Sequence, residues 1–78
     1  MEHKSRKRFI ELGKTKIRQN RNIVVSKDSD GYITIAQQIE IVEDGRPTNI
    51  FMKGAIEVEA KYFSGLVELL EEIEKEIL

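Results

Sequence analysis

Between residues 14 and 27 the chain carries Lys14, Lys16, Arg18, Arg21 and Lys27 with no acid among them. The first three alternate, so on an extended strand they would share one face. Two aromatic residues further on, Tyr32 and Phe51, and one more cation, Lys53, complete a set with a definite chemical use. Cations in a row neutralise phosphates, and flat rings give unpaired bases a surface to stack on. The net charge of −1 conceals this set. Residues 1–27 hold nine basic groups against two acids, a charge of +7, while residues 28–78 hold four against twelve, a charge of −8. Such polarity fits a basic working surface backed by an acidic one. It fits equally two halves that neutralise each other within the fold or across a dimer.

Material for catalysis is poor. There is no cysteine, the single histidine is His3, and the five glycines are scattered rather than gathered into a phosphate loop. Hydroxyls such as Ser26 and Thr34 have no histidine base, and the acids of the C-terminal third lack metal-ligand companions. The reading is of a protein that is not an enzyme, with no catalytic residues, no metal site and no cofactor. No apolar run approaches the ~20 residues of a membrane span. No signal-peptide core follows Met1, and a cytoplasmic location is expected.

The elements that must position the cations and rings follow from periodicity. Tyr32–Glu43 alternates, with Ile33, Ile35, Ile39 and Ile41 on one side and Thr34, Gln38 and Glu40 on the other. That period of two marks a long strand with one buried face. Residues 49–58 form a second strand, with Ile50, Met52, Ile56 and Val58 on one face and Phe51, Lys53 and Glu57 on the other. Asp44-Gly45-Arg46-Pro47 turns one into the other. Gln37 breaks the isoleucine row and Gly54 interrupts the second strand, so a bend or bulge is expected there. Upstream, residues 22–27 read as a strand and Asp28-Ser29-Asp30-Gly31 as a tight hairpin turn. Residues 9–17 read as a short strand or two fragments about Gly13. From Glu59 the period changes to three or four, through Tyr62 or Phe63, Leu66, Leu69 or Leu70, Ile73 and Ile77, which describes an amphipathic helix of about four turns.

The expected fold is α+β: a four-stranded antiparallel curved sheet followed by a C-terminal amphipathic helix, ββββα. Residues 1–8 form a basic flexible tail and residues 9–78 a single domain. A chain of 78 residues without a disulfide is short of core. An intertwined homodimer supplies the missing burial, with Leu66, Leu69, Leu70, Ile73 and Ile77 at its interface. The acids Glu71, Glu72, Glu74 and Glu76 crowd the helix end whose dipole disfavours them, so basic groups of either chain are expected beside them.

In strand order and turn residues the chain resembles the positive-cofactor-four family of transcriptional coactivators and, more distantly, the Whirly and Pur-alpha single-strand-binding proteins. The resemblance runs from about Phe9 to Ile77. It rests on the acidic-Gly turn at Asp44-Gly45, on the Lys53-Gly54 step before an Ile56-containing strand end, and on an aromatic early in the helix at Tyr62 or Phe63. It implies a homodimer whose outer strand faces grip single-stranded DNA or RNA in transcription, replication or repair. On that footing Lys53 takes the family's basic Lys-Gly position, and Lys27 another basic place before the first turn. The chain departs from the family at that turn, where Ser29, Asp30 and Tyr32 replace an aromatic and lysines. Gln38 stands in place of an arginine, and the segment from Gly13 to Asn22 is longer. The full set assigned to nucleic acid is Lys14, Lys16, Arg18, Arg21, Lys27, Tyr32, Phe51 and Lys53. Two other functions stay open: a dimeric module docking an acidic protein partner, and an architectural subunit using its long strands as pairing edges.

Overall fold

The computed structural model describes residues 8–78. The expected tail, His3 included, lies almost wholly outside them. Strands β1 (Phe9–Arg18), β2 (Arg21–Asp28), β3 (Tyr32–Glu43), β4 (Arg46–Phe51) and β5 (Ile56–Glu59) precede one helix, α1 (Ala60–Ile77). All pairings are antiparallel, in the order β1-β2-β3-β4, with β5 also on β3. The expected sheet-then-helix order is present, with one refinement. The fourth strand is broken into β4 and β5, which follow each other along the same edge of β3: β4 pairs residues 38–43 and β5 residues 32–35. Gly54, at φ +94, lies in the break. The Met52 amide still donates to the Gln37 carbonyl at 2.9 Å, so the ladder is stapled across part of the gap.

Each hairpin is closed by the chemistry its turn requires. Asp44 and Gly45 both take positive φ, at 51° and 76°, as a two-residue turn matched to the strand twist demands. Pro47 sits just past it in β4, an edge strand where a missing N–H donor does little harm. At the β2–β3 turn the Asp28 carboxylate accepts from the Asp30 and Tyr32 amides at 2.8 and 3.0 Å, and the Gly31 amide donates to the Asp28 carbonyl. Asn20 supplies the left-handed residue between β1 and β2.

Strand β1 is continuous through Gly13 but bulged twice, once between Glu11 and Gly13 and again between Lys16 and Arg18. The second bulge corrects the expectation that Lys14, Lys16 and Arg18 share a face. Residues directly opposite in an antiparallel pair point to the same side. Lys14 lies opposite Val24 and Lys16 opposite Asn22, whereas Arg18 lies opposite Arg21, on the other side.

The two faces of the sheet differ in kind. One carries Ile23, Val25, Ile33, Ile35, Ile39, Ile41, Ile50, Ile56 and Val58 by register. The other carries Asn22, Val24, Ser26, Thr34, Ala36, Gln38 and Phe51. Burial does not follow that division. On the isoleucine face only Ile33 is buried; on the mixed face Asn22, Val24, Thr34 and Gln38 are. Helix α1 contacts β5 and β3. The mixed face is the hollow one, because Phe9 of β1 and Phe51 of β4, the two outer strands, line one cavity with Ser26, Thr34 and Ala36; we call it the concave face, and bulges of the kind found in β1 increase such curl. The helix is left almost bare: none of its 18 residues is buried. Leu69, Leu70, Ile73 and Ile77 are each about half exposed or more.

Val24, at 1% exposed, and Val42, at 70%, allow a direct comparison. Val24→Ala removes two buried carbons and is expected to destabilise the fold by roughly 1.5 kcal/mol or more, at ~0.8 kcal/mol per methylene. Val42→Ala is expected to shift stability by less than about 0.5 kcal/mol. Urea unfolding of the two variants measures both, and equal losses would contradict a core centred on Val24.

Candidate nucleic-acid interface

On the concave face the register sets side chains in rows across the sheet. One row runs Lys16, Asn22, Gln38, Phe51; the next runs Lys14, Val24, Ala36. These rows bring two expected cations and one expected aromatic together. Farther along lie Glu11, Ser26, Thr34 and Glu57, and the sheet ends at Phe9, Asp28 and Tyr32, with Tyr32 opposite Glu59. The concave face thus carries Lys14 and Lys16, with Glu40, toward the β1–β2 turn and is acidic at the β2–β3 turn. Tyr32 shares the face with Lys16 but stands at its acidic end, six residues along β3 from Gln38, about 20 Å at 3.3 Å per residue.

The remaining expected residues lie elsewhere. Arg18, Arg21 and Lys27 are on the isoleucine face by register, with Arg21 opposite Ile39 and Lys27 opposite Ile33. Arg21 also donates from Nη1 to Gln37 Oε1 at 3.4 Å, so the residue that breaks the isoleucine row receives a cation there. Lys53 is in the link between β4 and β5. Of the residues expected at a dimer interface, Leu66 is half-buried, and Leu69, Leu70, Ile73 and Ile77 are exposed.

A cavity of about 220 Å³ opens on the concave face, lined by Phe9, Ser26, Thr34, Ala36, Phe51 and Ala55. Phe9 was not among the residues assigned from the sequence. Its signal was weak because it begins a strand whose two bulges scramble the alternation, so its face could not be read from spacing. Both phenyl rings are more than half exposed. In the same region two buried polar atoms, Thr34 Oγ1 and Gln38 Oε1, have no hydrogen-bond partner among the described residues. Asn22 is satisfied, donating from Nδ2 to Glu40 Oε2 at 3.0 Å.

Among the described residues no cluster of three histidine, aspartate or glutamate side chains is arranged to hold a metal ion, and no helix is long and apolar enough to cross a membrane. Comparisons with protein-family models, curated proteins and solved structures give no match to any of them.

The Asn22–Glu40 bond offers a test of how closely this floor is built. Asn22→Asp sets a second carboxylate against Glu40 at a buried position, replacing a donor by a like charge. Loss of the bond and the exposed mismatch are expected to destabilise the fold by about 1–3 kcal/mol at neutral pH. Burial and the neighbouring charge raise the introduced carboxyl's pKa above its unfolded value near 3.9. A group raised on folding favours the folded state at low pH, so the deficit relative to wild type should shrink as pH falls toward 4. Urea unfolding across that range measures it, and a constant deficit would mean that the two groups do not interact.

Proposed function

We propose that the chain acts as a non-catalytic homodimer that binds single-stranded nucleic acid, DNA or RNA, on its concave sheet face. The observation that carries this reading is the grouping of Lys14, Lys16, Phe9 and Phe51 on one concave face, while the isoleucine face and the helix are left with apolar surface uncovered. The two faces then have separate tasks. Dimerisation covers the isoleucine face and the α1 stripe of Leu66, Leu69, Leu70, Ile73 and Ile77. Fully burying one such side chain is worth roughly 1.5–3 kcal/mol, and contiguous exposed apolar surface of this kind marks an interaction site. Arg18, Arg21 and Lys27, on the rim of that face, meet the acids Glu71, Glu72, Glu74 and Glu76 of the partner's helix.

The phosphate path is short. Glu11, Glu57 and Glu59 repel phosphates from the β2–β3 end, where Phe9 stands, so the phosphates lie at the Lys14 and Lys16 end while the cavity runs from Phe51 toward Phe9. Few phosphates are neutralised, and the affinity is correspondingly modest. Docking of an acidic protein segment is the competing use of the same cations. It differs in having no need of the exposed rings.

Two measurements follow. Sedimentation at micromolar concentration is expected to give twice the 9.0 kDa chain mass, and Ile73→Glu should lower both that mass and the stability; a 9.0 kDa species would overturn the dimer. Titration of labelled oligo(dT) should show log K falling with log salt by roughly 0.7 for each phosphate neutralised. Lys14→Ala with Lys16→Ala should flatten that slope by about one to 1.5, and duplex of equal length should bind more weakly. No binding to either, or tighter binding to duplex, would favour the acidic-protein reading.

A further inference from the structure

We infer that the cavity between Phe9 and Phe51 is a slot for one unpaired nucleobase, whose free Watson–Crick edge is read by Thr34 Oγ1. The inference rests on the single-strand reading above and gives it a mechanism of discrimination.

The cavity has the two parts that such a slot requires. Its walls are the two phenyl rings, which come from opposite edges of the sheet, β1 and β4. Both rings are more than half exposed and so are free to take a flat partner. Its floor holds the side chain of Thr34, more than nine-tenths buried, with a hydroxyl that no atom of the described residues satisfies. Gln38, four residues along β3 and directly opposite Phe51, holds a second unsatisfied oxygen but does not line the cavity. A buried hydroxyl without a partner is unfavourable in the free protein, and it gains when an incoming group supplies an N–H.

Every nucleobase carries an N–H donor on its Watson–Crick edge, and in a duplex that donor is already used. A slot ending in an unpaired acceptor therefore accepts any unpaired base and rejects a paired one without choosing strongly among sequences. Lys14 and Lys16 lie on the same face, where they would meet the phosphates flanking the inserted nucleotide. An aliphatic occupant, such as an apolar side chain of another protein, would fill the ring walls. It would leave the Thr34 oxygen unpaired, so the base is the occupant that the whole cavity favours.

The test uses the full chain and three labelled oligonucleotides of one length: oligo(dT), the same strand carrying abasic sites, and the same strand with N3-methylthymine. Stacking lost at the abasic sites is expected to lower affinity roughly fivefold to a hundredfold. Methylation at N3 removes the edge donor and is expected to lower it roughly twofold to tenfold, at an unchanged salt slope. Phe9→Ala should weaken oligo(dT) but leave the abasic strand unaffected, whereas Tyr32→Ala should alter neither. Thr34→Val should reduce the response to N3 methylation, and urea unfolding of that variant checks that it remains folded. Should oligo(dT) bind with a salt slope yet no better than the abasic and methylated strands, the slot is overturned and single-strand binding stands. Should none of the three bind at low salt, both are overturned.

Discussion

Strand β3 carries hydrogen-bond ladders on both of its edges, and the remaining architecture depends on how those ladders are filled. Its twelve residues need partners along about 40 Å of edge. One edge takes β2, over residues 33–39. The other takes β4 and β5 in succession, with the Met52 amide bonding the Gln37 carbonyl between them. A single uninterrupted partner would have to follow the twist of β3 over its whole length. Breaking that partner at Gly54 lets each half follow the twist locally. The break also places Ala55 and Phe51 at the wall of the concave cavity. The helix begins where β5 ends, so its starting point is fixed by the same ladder.

The distribution of burial follows from that curl and from the chain's small size. A short chain buries a small fraction of its surface. In this one most of the share that is buried falls on the concave face, at Asn22, Val24, Thr34 and Gln38. Three of those four are polar, and leaving a polar atom buried without a partner is unfavourable. Asn22 escapes through Glu40; Thr34 and Gln38 each keep one oxygen unpaired among the described residues. The isoleucine face has the reverse imbalance, being apolar by composition and only partly covered. A face whose polar groups lack partners and a face whose apolar groups lack cover call for different occupants, one able to hydrogen-bond and one able to exclude water.

Much of this was legible in the residues. The 12-residue β3, the Asp44-Gly45 turn, the Asp28-to-Gly31 turn and the change of period at Glu59 are local signals, and each is found where the spacing places it. Gly54 marked the interruption for the same reason, since positive φ there is cheap only for glycine. What could not be read was the face on which each cation of β1 falls. A bulge adds one residue and resets the alternation, and neither Leu12 nor Ile17 has a side chain that announces one. Alternation alone therefore groups Arg18 with Lys14 and Lys16 and leaves the face of Phe9 open. Burial was misjudged as well: the isoleucine row suggested the covered side, because hydrophobicity reports what a face prefers, whereas curvature decides what it receives.

The segregation of charge along the chain acquires a physical use once the two faces are distinguished. Had all five cations of residues 14–27 lain on the concave face, they would have faced one another among Glu11, Glu40, Glu57 and Glu59. The bulge before Arg18 sets that residue on the isoleucine face, where Arg21 and Lys27 lie by the register of β2, and Lys14 and Lys16 stay on the concave face. Cations beside an apolar surface do not stabilise that surface on their own. They become useful there when an apolar partner arrives carrying acids at matching places. Helix α1 is such an element, with its apolar stripe interleaved with Glu71, Glu72, Glu74 and Glu76 and with only Lys75 to offset them in its last turn. Exposed pairs of this kind contribute only about 0–1 kcal/mol each, so their part is to set orientation while the isoleucines and leucines supply the free energy. In the proposed dimer Arg18, Arg21 and Lys27 thus meet the acids of the partner's helix on one face. Lys14 and Lys16 stay unneutralised on the other, where a phosphate can reach them.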